Sequence, residues 1–173
     1  MSIDAVLARI DRDLDQSLER LFSLLRIPSI STDPAFAESC REAAQWLVDA
    51  LSELGFDASV RPTDGQPMVV AHYPAGSRSP DGRVLFYGHY DVQPADPIEL
   101  WDAPPFEPRL VDTPTGKHIV ARGACDDKGQ FMTFIEACRG WKDATGELPI
   151  AVTVLIEGEE ESGSKSLGPF LDA

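Results

Sequence analysis

The sequence is short of cysteine, of positive charge and of long apolar runs, and each shortage excludes a class of protein. Its 173 residues include only three cysteines, an odd and small number that does not suit a disulfide framework. So few cysteines favour a reducing, cytoplasmic setting. No apolar run is long enough to span a bilayer. Charged residues inside the first apolar pattern argue against a secretory signal; they are Asp4, Arg9, Asp11 and Arg12.

The charge balance is strongly acidic. Lysine and arginine number 15 against 29 aspartates and glutamates, which gives a formal net charge of −14. A surface of this sign repels phosphate backbones and anionic lipids, so we expect neither a nucleic-acid partner nor a membrane partner. Clustered carboxylates also attract cations, so part of the excess is consistent with a metal site, and the rest with solvated surface.

Several chemical signatures are missing as well. The sequence contains no Gly-x-Ser-x-Gly elbow, no Walker loop, no dinucleotide-binding glycine fingerprint and no EF-hand loop. No Cys-x-x-Cys pair supports a structural zinc site. Cys125 precedes two aspartates, which suits a soft metal ligand, although a small packing residue is the simpler interpretation. These absences direct attention to the acidic residues.

The remaining pattern alternates helices with apolar strands. Apolar residues at steps of three and four predict one long amphipathic helix over 3–25, and a second helix is capped near Asp33 and ends at Gly55. Buried strands are predicted at 84–87, covered on both faces, and at 148–156. Other predicted elements are strands at 56–61 and 67–73, a turn at 74–82, a hairpin at 109–121, a helix at 126–141 and a helix start at 166–171. The pattern predicts one α/β domain with a mostly parallel or mixed sheet sandwiched between helices.

A histidine and an aspartate follow the first of these buried strands. Gly88 ends the strand and allows the backbone to approach a neighbour closely. His89 and Asp91 are two residues apart in extended chain, so their side chains point to the same side. Ligands of open α/β sheets bind beyond the carboxyl ends of the strands. We therefore expect a metal-ligating imidazole held by a carboxylate, with solvated loop residues as the alternative.

Two further acidic clusters lie at the ends of predicted elements. Asp126 and Asp127 begin a helix, where one carboxylate suffices for capping and the other is surplus. The run Glu159-Glu160-Glu161 follows the second buried strand, and a solvated loop is the alternative interpretation. Histidine with several carboxylates is the ligand set of a hydrolytic zinc site, often with two metals about 3.5–4 Å apart. An uncoordinated glutamate beside such a site suits a general base.

Three ordered segments resemble the metal-site motifs of the M20 family of metallopeptidases. They are Gly88–Pro94, Arg122–Gly129 and Glu157–Ser164, and Trp101–Pro108 is similar to the dipeptidase branch in particular. The likeness runs over nearly all of the chain. It implies a zinc-exopeptidase-like catalytic domain and a zinc-dependent hydrolase that cleaves the amide bond of dipeptides or short peptides.

The resemblance also implies a role for each matched residue. His89 would ligate one zinc, Asp91 would hold its imidazole, and Asp126 would bridge two zinc ions, or manganese or cobalt in their place. The peptide bond after Asp126 would be cis. Glu160 would act as the general base and Glu161 as a ligand of the second metal.

Members of this family are much longer than 173 residues. They supply a further acidic ligand and a histidine near the C-terminus, and they carry a lid domain that often dimerises. We therefore expect residues 1–173 to be the N-terminal portion of a catalytic domain, with a homodimer only in a full-length form. Two alternatives stay open: an N-acyl-amino-acid deacylase of the same family, and a truncated fragment that binds metal without turnover.

Overall fold

A computed structural model of the chain describes residues 3–74 and 81–173. Its helices are α1 (Ile3–Arg12), α2 (Leu14–Leu25), α3 (Ala37–Glu53), α4 (Lys128–Thr145) and α5 (Leu167–Asp172). Its strands are β1 (Asp57–Arg61), β2 (Met68–Tyr73), β3 (Arg83–His89), β4 (Arg109–Thr113), β5 (Gly116–Val120) and β6 (Ala151–Glu157). Residues 75–80 of the predicted turn lie outside the described residues. In the described ranges no helix has both the length and the hydrophobicity to cross a membrane.

Four strands form the main sheet in the order β1-β2-β6-β3, and β4 and β5 form the predicted hairpin. The sheet is mixed, because β2 is antiparallel to both β1 and β6 whereas β3 runs parallel to β6. The parallel pair positions the site: its register places His89 opposite Glu157. Two of the three acidic motifs therefore begin side by side at the carboxyl ends of β3 and β6.

Helices α3 and α4 pack against the sheet and build the core with it. Helix α3 contacts β1 and β2, and α4 contacts β3. The rings of Phe86 on β3 and Phe134 on α4 stack with centroids 4.0 Å apart. Leu47 and Ile135, one from each helix, are buried beside Val154 of β6. Burying a side chain of this kind stabilises the fold by roughly 1.5–3 kcal/mol, so this layer fixes the strands whose ends carry the motifs.

The first predicted helix is two helices that meet at Asp13. Helix α1 packs on α4 through the buried Val6 and through Ile10, whose Cγ1 lies 2.7 Å from the position of a Cβ added to Gly140. Ile10 belongs to the face that the apolar pattern predicts to be buried, and its contact with Gly140 agrees with that prediction. Three residues predicted to face inward are instead about half exposed, namely Ile3, Leu7 and Leu14.

The prediction that residues 84–87 are buried on both faces is wrong. Strand β3 lies at the end of the strand order, and among the described strands it pairs with β6 alone. Val84, Leu85 and Tyr87 are 39%, 65% and 46% exposed. An apolar run of this length is compatible with an edge or a central strand, and periodicity alone does not distinguish the two.

Candidate metal centre

His89 ends β3 and is buried beside the carboxylates of three motifs. Its Nδ1 lies 3.1 Å from the backbone oxygen of Asp91 and 3.3 Å from Asp91 Oδ1. Its Nε2 lies 3.1 Å from Asp126 Oδ1 and 3.9 Å from Glu160 Oε2. The aspartate two residues along thus holds one ring nitrogen, and the other nitrogen faces the two remaining acidic motifs.

Asp91 is fully buried, and its carboxylate accepts hydrogen bonds from two distant parts of the chain. The Ser31 hydroxyl donates to Oδ2 at 2.5 Å. The backbone N–H groups of Glu160 and Glu161 donate to Oδ1 and Oδ2 at 3.2 and 3.0 Å. A carboxylate with several donors keeps one orientation. Asp91 therefore orients the imidazole and the glutamate turn together.

The short turn after β6 places two glutamates against the histidine. Ligand atoms of His89, Glu160 and Glu161 all lie within 4.8 Å of one another. Gln93 holds the Glu161 side chain in place, because its Nε2 donates to Glu161 Oε2 at 2.9 Å. Glu159, to which the resemblance gives no role, packs instead on the turn between β1 and β2. The acidic run is thus divided between two sides of the turn.

The aspartate pair before α4 reaches the same place. A cis peptide bond joins Asp126 and Asp127, as the resemblance implies. Asp127 Oδ2 accepts the backbone N–H of His89 at 3.1 Å, while the Asp126 side chain is 69% exposed and contacts the ring. Gly88 makes this approach possible, because a Cβ there would lie 2.8 Å from Asp127 Oδ2 and 3.2 Å from Phe131 Cβ.

Negative charge at this site is not paired with any lysine or arginine that the structure describes. Five carboxylates lie around the imidazole, those of Asp91, Asp126, Asp127, Glu160 and Glu161. In residues 3–74 and 81–173 none of the five forms an ion pair with lysine or arginine. A divalent cation relieves such repulsion, and imidazole nitrogen and carboxylate oxygen are ligands that zinc accepts. The residues present therefore fit a divalent metal ion.

The protonation of the histidine reflects the same charge. Burial lowers the pKa of His89, but the carboxylates around it, that of Asp91 first, outweigh burial and raise the pKa to about 9. Burial raises the pKa of Asp127. Both shifts reflect negative charge crowded around a buried ring, and a bound metal ion would offset the same charge.

Sequence reasoning missed several residues that position the site. Glu157 is fully buried, and its Oε1 accepts from the hydroxyls of Tyr87 at 2.5 Å and Ser164 at 2.9 Å, which anchors both ends of the glutamate turn. Glu157 is the last residue of an apolar strand, and this position could have predicted a buried, hydrogen-bonded carboxylate. Ser31 and Gln93 carry no such signal, because their partners lie 60 and 68 residues away.

The sequence model of the family described as "Peptidase family M20/M25/M40" matches residues 85–172, a span that contains all three motifs. The chain belongs to this family. M20 membership confirms the resemblance drawn from the motifs, and M20 metallopeptidases depend on metal ions. The three motifs, taken in order, therefore identify the family correctly.

Relatives of this M20 chain carry dipeptidase names. The chain is 31% identical over 183 residues to the Cys-Gly metallodipeptidase DUG1 of Saccharomyces cerevisiae, covering 98% of this chain and 37% of that protein. It is 34% identical over 183 residues to the Beta-Ala-His dipeptidase of Homo sapiens, covering 98% and 35%. The chain thus spans little more than a third of the length of these relatives.

Solved structures confirm the predicted fold class. The yeast dipeptidase Dug1p superposes with a TM-score of 0.84 at 30% identity, over 98% of this chain and 37% of that one. Human carnosine dipeptidase 1 superposes with a TM-score of 0.84 at 29% identity, over 97% and 37%. The mixed sheet with its helices is therefore part of an M20 peptidase fold.

Proposed function

We propose that this chain is the N-terminal portion of the catalytic domain of a metal-dependent hydrolase that cleaves the amide bond of dipeptides or short peptides. The observation that carries the proposal is the convergence of His89, Glu160 and Glu161 within 4.8 Å, without a lysine or arginine partner among the described residues. The dipeptidase names of the relatives support the substrate class. Since the chain spans about 37% of their length, we assign the lid, the remaining ligands and any homodimer contact to polypeptide beyond these residues.

The metal would be zinc, two ions per complete site, with manganese or cobalt as substitutes. Such ions supply Lewis-acid chemistry when bound, polarising a scissile carbonyl and making a water more acidic. His89 and Glu161 would each bind a different ion, and Asp126 would bind both. Asp91 would keep the imidazole aimed, since it holds Nδ1 and leaves Nε2 toward the metal.

Glu160 would act as the general base. Its side chain is 44% exposed and its Oε2 lies 3.9 Å from His89 Nε2, so it borders the metal position and remains open to solvent. Its own N–H is held by Asp91. A carboxylate in this position can take a proton from the attacking water and deliver it to the leaving amine.

The test is Glu160→Gln, measured in the 173-residue chain and in the longest polypeptide that contains it. We expect dipeptide turnover to fall by about 100-fold or more, because general acid–base catalysis contributes that much. Zinc affinity should change by less than about threefold, because no proposed ligand is removed. Undiminished turnover would exclude Glu160 as the base, and a joint loss of zinc would make it a ligand instead.

Glu159→Gln is the matched control, because this neighbouring carboxylate packs on the turn between β1 and β2. It should keep both turnover and zinc affinity. A panel of dipeptides and N-acyl amino acids then separates a dipeptidase from a deacylase. Zinc bound without hydrolysis of any substrate would favour the non-catalytic fragment, an alternative that the limited coverage of the relatives supports.

We also place the protein in the cytoplasm. Its three cysteines are free, with Cys40 and Cys138 buried and Cys125 exposed. An exposed thiol and no disulfide suit a reducing compartment.

A further inference from the structure

Lys128 is a fully buried lysine at the start of α4, two residues after Asp126. Its side-chain nitrogen forms no ion pair with the acidic motif beside it in the described parts of the chain. Its Nζ donates instead to the backbone oxygens of Leu24 at 3.2 Å and Ile27 at 2.7 Å, where α2 ends. Burying a polar group is costly unless it is hydrogen-bonded, so the buried nitrogen and these two carbonyls hold one another in place.

The segment that Lys128 holds continues directly to the histidine motif. The backbone oxygen of Ser29 accepts a hydrogen bond from the N–H of Val92 at 3.0 Å, and the Ser29 hydroxyl donates to the backbone oxygen of Tyr90 at 2.7 Å. Two residues further on, the Ser31 hydroxyl donates to Asp91 Oδ2. Every residue from Tyr90 to Val92 is thus bonded to the segment 29–31.

A close approach at one glycine adds a second link between the same parts. Gly123 has φ +80°, and a Cβ there would lie 2.9 Å from Val92 Cγ1 and 3.3 Å from Lys128 Cδ. The chain before Asp126 therefore packs on the lysine stem and on the histidine motif at once. The two metal-binding motifs share this contact, although they are 37 residues apart.

We propose that Lys128 is a positioning residue. The two hydrogen bonds of its buried side-chain nitrogen fix the segment 24–31, so that Ser31 and Asp91 hold His89 and the glutamate turn in place against Asp126. The simpler alternative is that Lys128 only caps the carbonyls of α2 and contributes stability. The proposal rests on the metal site of the proposed function. The two can nevertheless fail separately, because the experiment includes a measurement made without metal.

The test compares Lys128→Met with Arg20→Met in the 173-residue chain. Arg20 also joins α2 to α4, through Glu136, but lies outside the segment that reaches Asp91. Zinc affinity is measured by competition with a chromogenic chelator, and amide hydrogen exchange is followed without metal. We expect Lys128→Met to weaken zinc binding by about 10-fold or more, the usual cost of losing an outer support. We expect faster exchange at Val92 and Glu161.

Arg20→Met should leave zinc affinity unchanged and should speed exchange at Val92 and Glu161 by no more than its loss of global stability accounts for. Equal effects of the two substitutions would overturn the positioning role and leave Lys128 a structural cap. If the unaltered chain binds no zinc, the proposed function fails for this chain. The exchange rates at Val92 and Glu161 would still decide whether Lys128 holds the segment.

Ser31 provides a second route to the same answer if Lys128→Met fails to fold. Ser31→Ala removes the hydroxyl that Asp91 accepts, whereas Ser31→Thr keeps it. We expect the alanine variant to weaken zinc binding and to speed exchange at Glu161, and the threonine variant to restore both. Unchanged zinc affinity and exchange in the alanine variant would overturn the proposal.

Discussion

Two acidic sites involve helix α4, and they differ in whether a described arginine or lysine pairs with their carboxylates. On the body of the helix Glu136 accepts from Arg20 at 2.7 and 2.6 Å and from Ser17 at 2.8 Å. Just before the helix begins, Asp126 and Asp127 meet His89 with no lysine or arginine partner in the described parts of the chain. A carboxylate that serves the fold comes with a partner in the sequence. The unpaired carboxylates are those to which the proposed function assigns the metal.

The largest effect is expected from a substitution in the unpaired site around His89. His89→Ala removes an imidazole ligand, so zinc affinity should fall by more than about 100-fold, beyond the range found for outer supports. Glu136→Gln, which alters the site that has its own cation, should leave zinc affinity unchanged. Chelator competition measures both variants. Similar zinc affinities for His89→Ala and the unaltered chain would remove the distinction between the two sites.

A smaller effect is expected from a substitution in the paired site of Arg20 and Glu136. Arg20→Met removes both arginine hydrogen bonds to Glu136, which keeps the Ser17 hydroxyl and the guanidinium of Arg139 at 3.6 Å. The free energy of unfolding should therefore fall by an amount near the lower end of about 1.5–3 kcal/mol. Urea unfolding followed by circular dichroism measures the loss. Zinc affinity should not move, in contrast to His89→Ala. An unchanged unfolding free energy would mean that this ion pair adds nothing to the fold.

The smallest effect is the pH dependence of the same pair. Burial opposes ionisation of Glu136, but the hydrogen bonds from Arg20 and Ser17 outweigh it, so the pKa of Glu136 lies below its usual value. Its contribution is therefore fully present above the unfolded pKa of about 4.3 and disappears as the pH falls through the lower folded pKa. In Arg20→Met the unfolding free energy should fall less steeply below pH 5. Parallel pH profiles for the variant and the unaltered chain would contradict this account.

The local features of the site could be predicted from the sequence. The spacing of His89 and Asp91 placed both side chains on one side, and Gly88 indicated the close approach that Asp127 now makes. Parallel pairing of β3 with β6 could not be predicted from either strand alone, yet it brings His89 to Glu157. Contacts such as Ser31 with Asp91 depend on that pairing, so they carry no signal in the local pattern.

The errors in the fold have the same origin. The apolar run at 84–87 predicts a strand but does not tell whether a neighbour covers it, and Leu85 on β3 is 65% exposed. The apolar pattern of residues 3–25 predicts helix and puts Ile10 on the buried face. It does not tell which of the other apolar residues a neighbour covers, and Ile3 and Leu7 are about half exposed. Local periodicity reports the type of element, whereas burial is settled by partners distant in sequence.

Zinc K-edge X-ray absorption on the zinc-loaded chain is the most direct test that the unpaired acidic site binds a metal. We expect a shell of nitrogen and oxygen alone, at about 2.0–2.2 Å, with the outer scattering of one imidazole that disappears in His89→Ala. A sulfur scatterer at about 2.3 Å would place the metal on Cys125 instead. That result, or a spectrum unchanged in His89→Ala, would contradict the account.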